Sequence, residues 1–322
     1  MNTAICTLFE GDYHHGVCAL VNSLVKRGFS GKVFAGYRGA LPAWAEESAV
    51  TTVGEWRMAR TLPVTETCAL IFLPLTTPAH FTNFKPDLML ALLKDKDLQI
   101  ETLLYLDPDI CLMADWHSIS EWLSCGVALC EDVNSPVTEF HPRRVGWRRH
   151  FALHGVELKY RGAEYVNGGC VGVERKNLQF LENWWSLSQY MAEVIGGLGT
   201  AKVDSGSAFL GKGFGNCFDC SDQDALNAAI EMTGSADFSI LPRTAMAFSP
   251  GDHVLPHALG RNKPWRKSYL LEAMRGLPPT PADKAFWACV SGPLRSIGRK
   301  QLPWARATLL IATALSRLYR RA

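Results

Sequence analysis

The chain has 322 residues, of which 48% are apolar and 20% charged, the balance of a folded globular protein rather than a disordered one. Thirty-three basic against 31 acidic residues leave a net charge of +2, which excludes a polycationic nucleic-acid binder. The charge is uneven: residues 284–322 carry eight Lys or Arg and no acid, and removing those eight from the net +2 leaves −6 for residues 1–283.

Ala4–Phe9 is a short apolar run of strand formers, and Tyr13–Lys26 reads as a helix with Val17, Leu20, Val21, Leu24 and Val25 near helical spacing. Gly28 and Gly31 end it, and Val33–Tyr37 is a second strand, so the chain opens β-α-β, the start of a parallel α/β sheet. Ala69–Leu73 predicts a strand, Pro86–Leu93 a helix, and Thr102–Leu106 a buried strand. Val127–Cys130 and Gly169–Val173 are further strands, Leu178–Ile195 and Asp222–Met232 helices, and Ser239–Leu241 a short strand. Glu131–Tyr165, rich in arginine, and the glycine-rich Gly196–Gly215 read as long loops, the kind that serve as binding or lid segments.

The longest uncharged run, Thr67–Phe84, contains Pro74 and Pro78 and makes a poor membrane span. The N-terminus has no basic n-region, and Glu10 and Asp12 interrupt any apolar one, so a cytoplasmic protein with reduced thiols is expected. Cys217 and Cys220 form a single CxxC with no second pair to complete a zinc site.

The buried strand Leu103–Leu106 runs into Asp107-Pro108-Asp109. In an open α/β sheet ligands collect beyond the carboxyl ends of strands. Two carboxylates there repel each other unless a cation lies between them, which suits a hard divalent metal that can in turn neutralise a diphosphate. His257 offers an imidazole to complete such a site, a donor that suits Mn²⁺ better than Mg²⁺, with Mg²⁺ still possible. Beyond it, Gly260 permits close approach of backbone to phosphate, and Lys263 adds a point charge. Asn167, heading a strand, and Asp222 and Gln223, opening a helix, add amide and carboxylate groups. Taken singly, each of these is as well explained as a turn, a cap or a surface residue.

The order of these pieces is a strand–helix opening, Asn83-Phe84-Lys85, Asp-Pro-Asp, Asn-Gly-Gly, Asp-Gln-Asp-x-Leu-Asn and finally His-x-x-Gly-x-x-Lys-Pro-Trp. Together they resemble the family 8 retaining glycosyltransferases, which include glycogenin, galactinol synthase and bacterial lipopolysaccharide glucosyl- and galactosyltransferases. The resemblance covers roughly residues 4–267. It implies a GT-A fold, one Rossmann-like α/β domain with a mostly parallel central sheet, here residues 1–283, followed by a basic helical extension, residues 284–322. It further implies that Asp107, Asp109 and His257 ligate Mn²⁺, that Tyr13 packs on uracil, and that Lys85 reaches the donor's sugar or phosphate. Asn167, Asp222 and Gln223 match donor-sugar ligands, and Gly260 and Lys263 the pyrophosphate-binding turn. The implied partners are a UDP-sugar, with glucose or galactose as the hexose, and a saccharide or glycolipid acceptor. The segment before Tyr13, Phe9-Glu10-Gly11-Asp12, departs from the family, which usually has Asp or Asn two or three places back.

No pair of carboxylates with the spacing of a retaining glycosidase is evident, and the Gln223 amide is a weak nucleophile, so same-face attack by the acceptor is expected. The alternatives are a non-catalytic nucleotide-sugar or glycan-binding module, or a sugar-nucleotide hydrolase or nucleotidyltransferase. The first would be marked by lost metal ligands, and the nucleotidyltransferase by a glycine-rich, basic N-terminal loop that Phe9–His15 does not provide. In the tail, Trp304–Tyr319 reads as a helix with Trp304, Ile311, Leu315 and Leu318 on one side and Arg306, Arg317, Arg320 and Arg321 opposite. That pattern predicts a peripheral contact of residues 296–322 with an anionic membrane, fitting lipopolysaccharide biosynthesis at the cytosolic face. The alternative is a helix docked on the catalytic domain.

Overall fold

The structure, a computed structural model, describes residues 2–201, 217–234 and 236–318. In chain order its elements are β1 (Thr3–Glu10), α1 (His14–Lys26), β2 (Gly31–Arg38), β3 (Ala49–Val53), β4 (Trp56–Pro63), β5 (Cys68–Pro74), α2 (Lys85–Lys94) and β6 (Thr102–Leu106). Then follow α3 (Trp116–Leu123), β7 (Val127–Glu131), α4 (Pro142–Ala152), β8 (Val166–Glu174), α5 (Leu178–Ile195), α6 (Ser221–Met232) and β9 (Phe238–Leu241). Three helices close the described chain: α7 (Tyr269–Met274), α8 (Pro281–Cys289) and α9 (Gln301–Leu318).

The strands form one sheet in the order β3-β4-β5-β2-β1-β6-β8-β7-β9. Strands β5, β2, β1 and β6 pair in parallel, as do β7 and β9, whereas β4 and β8 run against their neighbours. The sheet is therefore mostly parallel by direction, as expected, with β8 reversed beside β6. That reversal brings the start of β8, Val166-Asn167-Gly168-Gly169, to the carboxyl end of β6, since Leu106 pairs with Cys170.

Helices cover both faces of the sheet. One core packs α2, α5 and α6 through Leu88, Leu92, Phe180, Trp184 and Leu226; the other packs α1 and α3 through Val17, Leu20, Leu24, Ile119 and Leu123. Strands β6 and β8 are buried along their whole length, so each Leu of β6 contributes roughly 1.5–3 kcal/mol of apolar burial and the strand end is held firmly.

Two expectations change. Hairpin β3–β4 at the sheet edge is not evident in the sequence, because its exposed faces break the alternation; Gly54, at φ +53°, makes its turn. The Glu131–Tyr165 segment is not an open basic loop. It folds α4, which buries Arg143, Arg144 and Trp147. Arg144 is ion-paired with Glu231 of α6 and also donates to the Val137 carbonyl, so its charge is neutralised inside the fold. Of the Gly196–Gly215 segment, residues 202–215 lie outside the described residues.

The C-terminal helices form a third layer. A capping box between Thr280 and Asp283 starts α8, whose Phe286 and Trp287, with Val290 just after it, pack with Ala19 of α1 and with Leu309 and Ala312 of α9. Helix α9 thus docks on the body through Leu309, Ala312 and Ser316, while Trp304, Leu310, Ile311 and Leu318 stay exposed. Of the stripe expected to face outward, only Leu315 turns partly inward against this layer. Tyr319, Arg320 and Arg321 lie outside the described residues.

Candidate active site

The strand end of β6 sets Asp107 and Asp109. The Asp107 amide donates to the Gly169 carbonyl at 2.8 Å, and the Tyr105 hydroxyl donates to Asp107 Oδ1 at 2.7 Å. A short bridge between Ile110 and His257, reinforced by the Ala258 amide donating to the Asp109 carbonyl, brings the His257 segment alongside the Asp-Pro-Asp turn. On the other side α1 approaches so closely that a Cβ on Gly16 would stand 2.3 Å from the Pro108 carbonyl oxygen.

His257 Nε2 lies 3.3 Å from Asp109 Oδ1 and 3.7 Å from Asp107 Oδ2. One ligand atom from each of the three residues falls within 4.8 Å of the others, and they are the only such group of acidic, His or Cys side chains among the described residues. His257 Nδ1 is buried with no hydrogen-bond partner, while Nε2 faces the two carboxylates. A Cβ on Gly169 would come within 2.8 Å of Asp107 Oδ2, of His257 Cε1 and of Asn167 Oδ1, so only glycine leaves this space open. Two carboxylates and an imidazole around a cleared space suit a divalent cation of the Mn²⁺ or Mg²⁺ type.

Lysines hold the carboxylates meanwhile. Lys263 Nζ donates to Asp109 Oδ2 at 2.5 Å and to the Ala258 carbonyl at 2.8 Å. Burial favours a neutral Asp109, but Lys263 and His257 outweigh it and hold its pKa well below the usual carboxylate range. Lys85, buried at the start of α2, reaches across to Asp222 Oδ2 at 2.8 Å, the Gly168 carbonyl at 2.9 Å and Asp107 Oδ1 at 3.2 Å. Burial disfavours its charge, yet the two carboxylates prevail and its pKa is raised.

The N-terminus of α6 presents Asp222 and Gln223 to the start of β8. Gln223 Oε1 accepts from the Gly168 amide at 3.2 Å and lies 3.4 Å from Asn167 Nδ2. Asn227, one turn on, accepts from the Val166 amide and donates to its carbonyl, which fixes α6 against β8. A Cβ on Gly168 would stand 2.7 Å from Asp222 Oδ2, so the Asn-Gly-Gly sequence is what allows the helix to approach.

The structure therefore brings together Lys85, Asp107, Asp109, Asn167, Asp222, Gln223, His257 and Lys263. Tyr13 sits half-buried beside them, edge-on to Trp265 at 5.5 Å, with Lys263 Nζ 5.7 Å and the Arg266 guanidinium 5.3 Å from its ring centre. Gly260 is exposed on the neighbouring turn, at φ +83°, and takes no part in the cluster's hydrogen bonds. Three residues escaped the sequence reading. Asp132, just beyond β7, is buried and accepts from Asn167 Nδ2 at 2.6 Å; the same strand-end rule that marks Asp107 would have found it. Tyr105 orients Asp107, and Arg266, ion-paired with Asp12, faces Tyr13; neither carries a motif.

The fold is the GT-A fold. A comparison that carries this is with the galactosyltransferase LgtC, crystallised with donor and acceptor sugar analogues: TM-score 0.51, 14% identity, covering 95% of this chain and all of that one. The glycosyltransferase GlyE of Streptococcus pneumoniae TIGR4 is similar at TM-score 0.49 and 13% identity, and the chain spans 64% of its length. An active-site mutant of LgtC aligns at TM-score 0.48. No protein-family model and no curated protein sequence matches the chain.

Proposed function

We propose that the protein is a metal-dependent retaining glycosyltransferase that moves a hexose, glucose or galactose, from a UDP-sugar to a hydroxyl of a glycan or lipid-linked saccharide. The observation that carries this is the meeting, at one sheet edge, of two carboxylates and an imidazole with two buried lysines and with Asp222 and Gln223. Asp107, Asp109 and His257 would hold a divalent ion, Mn²⁺ in preference to Mg²⁺, which supplies charge neutralisation for the donor diphosphate. Lys263 and the Gly260 turn bind the same diphosphate, and Tyr13 stacks on the base. Lys85, Asn167 and Asp222 orient the hexose.

In the reaction the anomeric C–O bond breaks and the electron pair leaves with the UDP phosphate oxygen. The acceptor hydroxyl attacks from the same face and passes its proton to that oxygen. In this reading Gln223 Oε1 stabilises the positive charge developing at the anomeric carbon, and no covalent enzyme intermediate forms. Asp132 accepts from Asn167 Nδ2 and steadies that amide beside Gln223. A cavity of about 520 Å³, lined in part by Glu131, Arg161, Glu164 and by Asn227 one turn along α6 from Gln223, suits an extended saccharide acceptor.

Residues 1–283 form the catalytic unit in this reading, and residues 284–322 a basic extension whose α9 packs on it, with α8 spanning the junction. No described helix is long and apolar enough to cross a membrane. The exposed Trp304, Ile311 and Leu318 on α9, in a segment without acids, suit peripheral contact of residues 296–322 with an anionic membrane on the cytoplasmic side, where a lipid-linked acceptor would be met. The test is UDP release from UDP-glucose and UDP-galactose with Mn²⁺, with and without a saccharide acceptor. Acceptor-dependent release is expected, giving by NMR an α-linked product from an α-linked donor. Equal release without acceptor would indicate a hydrolase, and a β-linked product would exclude the retaining assignment.

A further inference from the structure

Outside the active site, a cavity of about 380 Å³ opens where the segment before α9 meets the helix's first turns. Arg295, Arg299 and Arg306 line it, together with Ile297, Leu302 and Pro303. Several arginines of the body are ion-paired: Arg38 with Glu10, Arg144 with Glu231, Arg148 with Glu139, Arg175 with Glu101 and Arg266 with Asp12. The three around this cavity have no carboxylate within ion-pair distance among the described residues. Arg306 uses only Nε, donating to the Trp287 carbonyl at 3.1 Å, which anchors its stem and leaves the terminal amino groups directed to solvent.

Three guanidinium groups around one cavity create a field that a monoanion satisfies only in part. Their planar forks match the oxygens of a phosphate, which accepts two parallel hydrogen bonds from each. The cavity lies at the N-terminal end of an 18-residue helix, whose dipole adds to the same sign of potential. The remaining wall is apolar: Ile297 and Leu302 are half-buried, continuous with the layer of Phe286 and Val290. A bare anion needs no such wall, whereas the organic part of a phosphate ester does. Trp304, one residue past Pro303, is 77% exposed at the same end of the helix.

We propose that this cavity is a binding site for a phosphate ester, held by Arg295, Arg299 and Arg306 with its organic portion against Ile297, Leu302 and Pro303. The ester is either an anionic phospholipid headgroup or a phosphate carried by a soluble saccharide or polyol. The site deepens the membrane-surface part of the proposed function but is tested without donor, acceptor or metal, so its failure and that of the transferase reading are separable.

The full-length protein is titrated with phosphatidylcholine vesicles containing phosphatidylglycerol, with pure phosphatidylcholine vesicles, and with glycerol 3-phosphate. The variant R295Q/R299Q is compared with R275Q/K284Q, which removes the same charge elsewhere in the layer. All four substituted side chains are exposed, so thermal midpoints should stay close to that of the parent. The proposal expects R295Q/R299Q to weaken anionic binding about thirtyfold, roughly fivefold per arginine near an anionic surface, and R275Q/K284Q to change it less than about threefold. Loss confined to vesicles identifies the headgroup as the ligand; loss of glycerol 3-phosphate binding as well identifies the phosphate group free in solution. Equal loss in the two variants would mean a diffuse surface charge. That result, or binding of neither anionic probe by the parent, overturns the proposal.

Discussion

Where the carboxyl end of β6 meets the start of β8, Lys85 and Lys263 are buried and each grips a carboxylate, whereas in the layer of α7, α8 and α9 the arginines 295, 299 and 306 stand in solvent with none. The same kind of charge serves two ends. A buried cation without a partner costs several kcal/mol, so the lysines of the first region are part of the fold itself. An exposed guanidinium costs little to leave unpaired and is free to meet an external anion. Substitutions in the first region should therefore couple activity to stability, and those in the second should separate binding from stability.

The largest effect is expected at Asp109. Asp109→Asn removes a prospective metal ligand and the counter-charge of Lys263, whose side chain is only 10% exposed. UDP-sugar turnover should fall at least about 100-fold, and thermal or urea unfolding should show a loss of about 3–5 kcal/mol, the scale of a broken buried pair. Full activity in the variant would remove Asp109 from the mechanism, and full stability would contradict the buried-pair argument.

The two faces of α9 give a sharper contrast. Leu309→Ala should cost about 2–3 kcal/mol, because Leu309 is 8% exposed within the third layer. Trp304→Ala, on the exposed face, should change stability by less than about 0.5 kcal/mol while weakening binding to anionic vesicles. Urea titrations and vesicle sedimentation of the two variants read this directly, and the reverse pattern would mean that the helix docks by its other face. A comparable, slightly smaller effect belongs to Gly169→Ala, whose new methyl would meet three site atoms at 2.8 Å. About 1–3 kcal/mol of stability should be lost, with turnover reduced alongside; an active, fully stable variant would show that the site has slack.

Much of this was legible in the chain. The buried run Thr102–Leu106 ending in two aspartates, the helix Leu178–Ile195 and the amide- and carboxylate-bearing start of α6 carry strong local patterns, and the structure has them where the periodicity placed them. What was not legible depends on tertiary contact. Arg143 and Arg144 look like surface charges until Asp224 and Glu231 are brought opposite them. Asp132 stands at a strand end that the sequence could mark, but its partner is set by the antiparallel pairing of β7 with β8, which carries Asn167 to it. On α9 the sequence shows one apolar side through Trp304, Ile311, Leu315 and Leu318, and only the packing of α7 and α8 decides that Leu309 and Ala312 go inward.

A smaller effect concerns acid. Burial, with the adjacent His14 assisting, lowers the His15 pKa to about 4. An unfolded chain takes up that proton near pH 6.5, so between about 6.5 and 4 the unfolded state binds more protons than the folded one. The stability His15 contributes is therefore complete above pH 6.5 and is lost as the pH falls toward 4. In His15→Gln the thermal midpoint should decline less steeply over that interval; an unchanged slope would place the acid sensitivity elsewhere.

The central claim is that Asp107, Asp109 and His257 gather a cation for the diphosphate of a nucleotide sugar. It is tested most directly by thermal unfolding of the full-length protein with UDP-glucose or UDP-galactose, in Mn²⁺ and in EDTA, beside Asp109→Asn. A ligand at 100 times its dissociation constant adds about 2.7 kcal/mol to the folded state. A clear rise of the midpoint is expected with nucleotide sugar and Mn²⁺ together, little with either alone, and none in Asp109→Asn. An equal rise in EDTA, or no rise with either UDP-hexose, would contradict it.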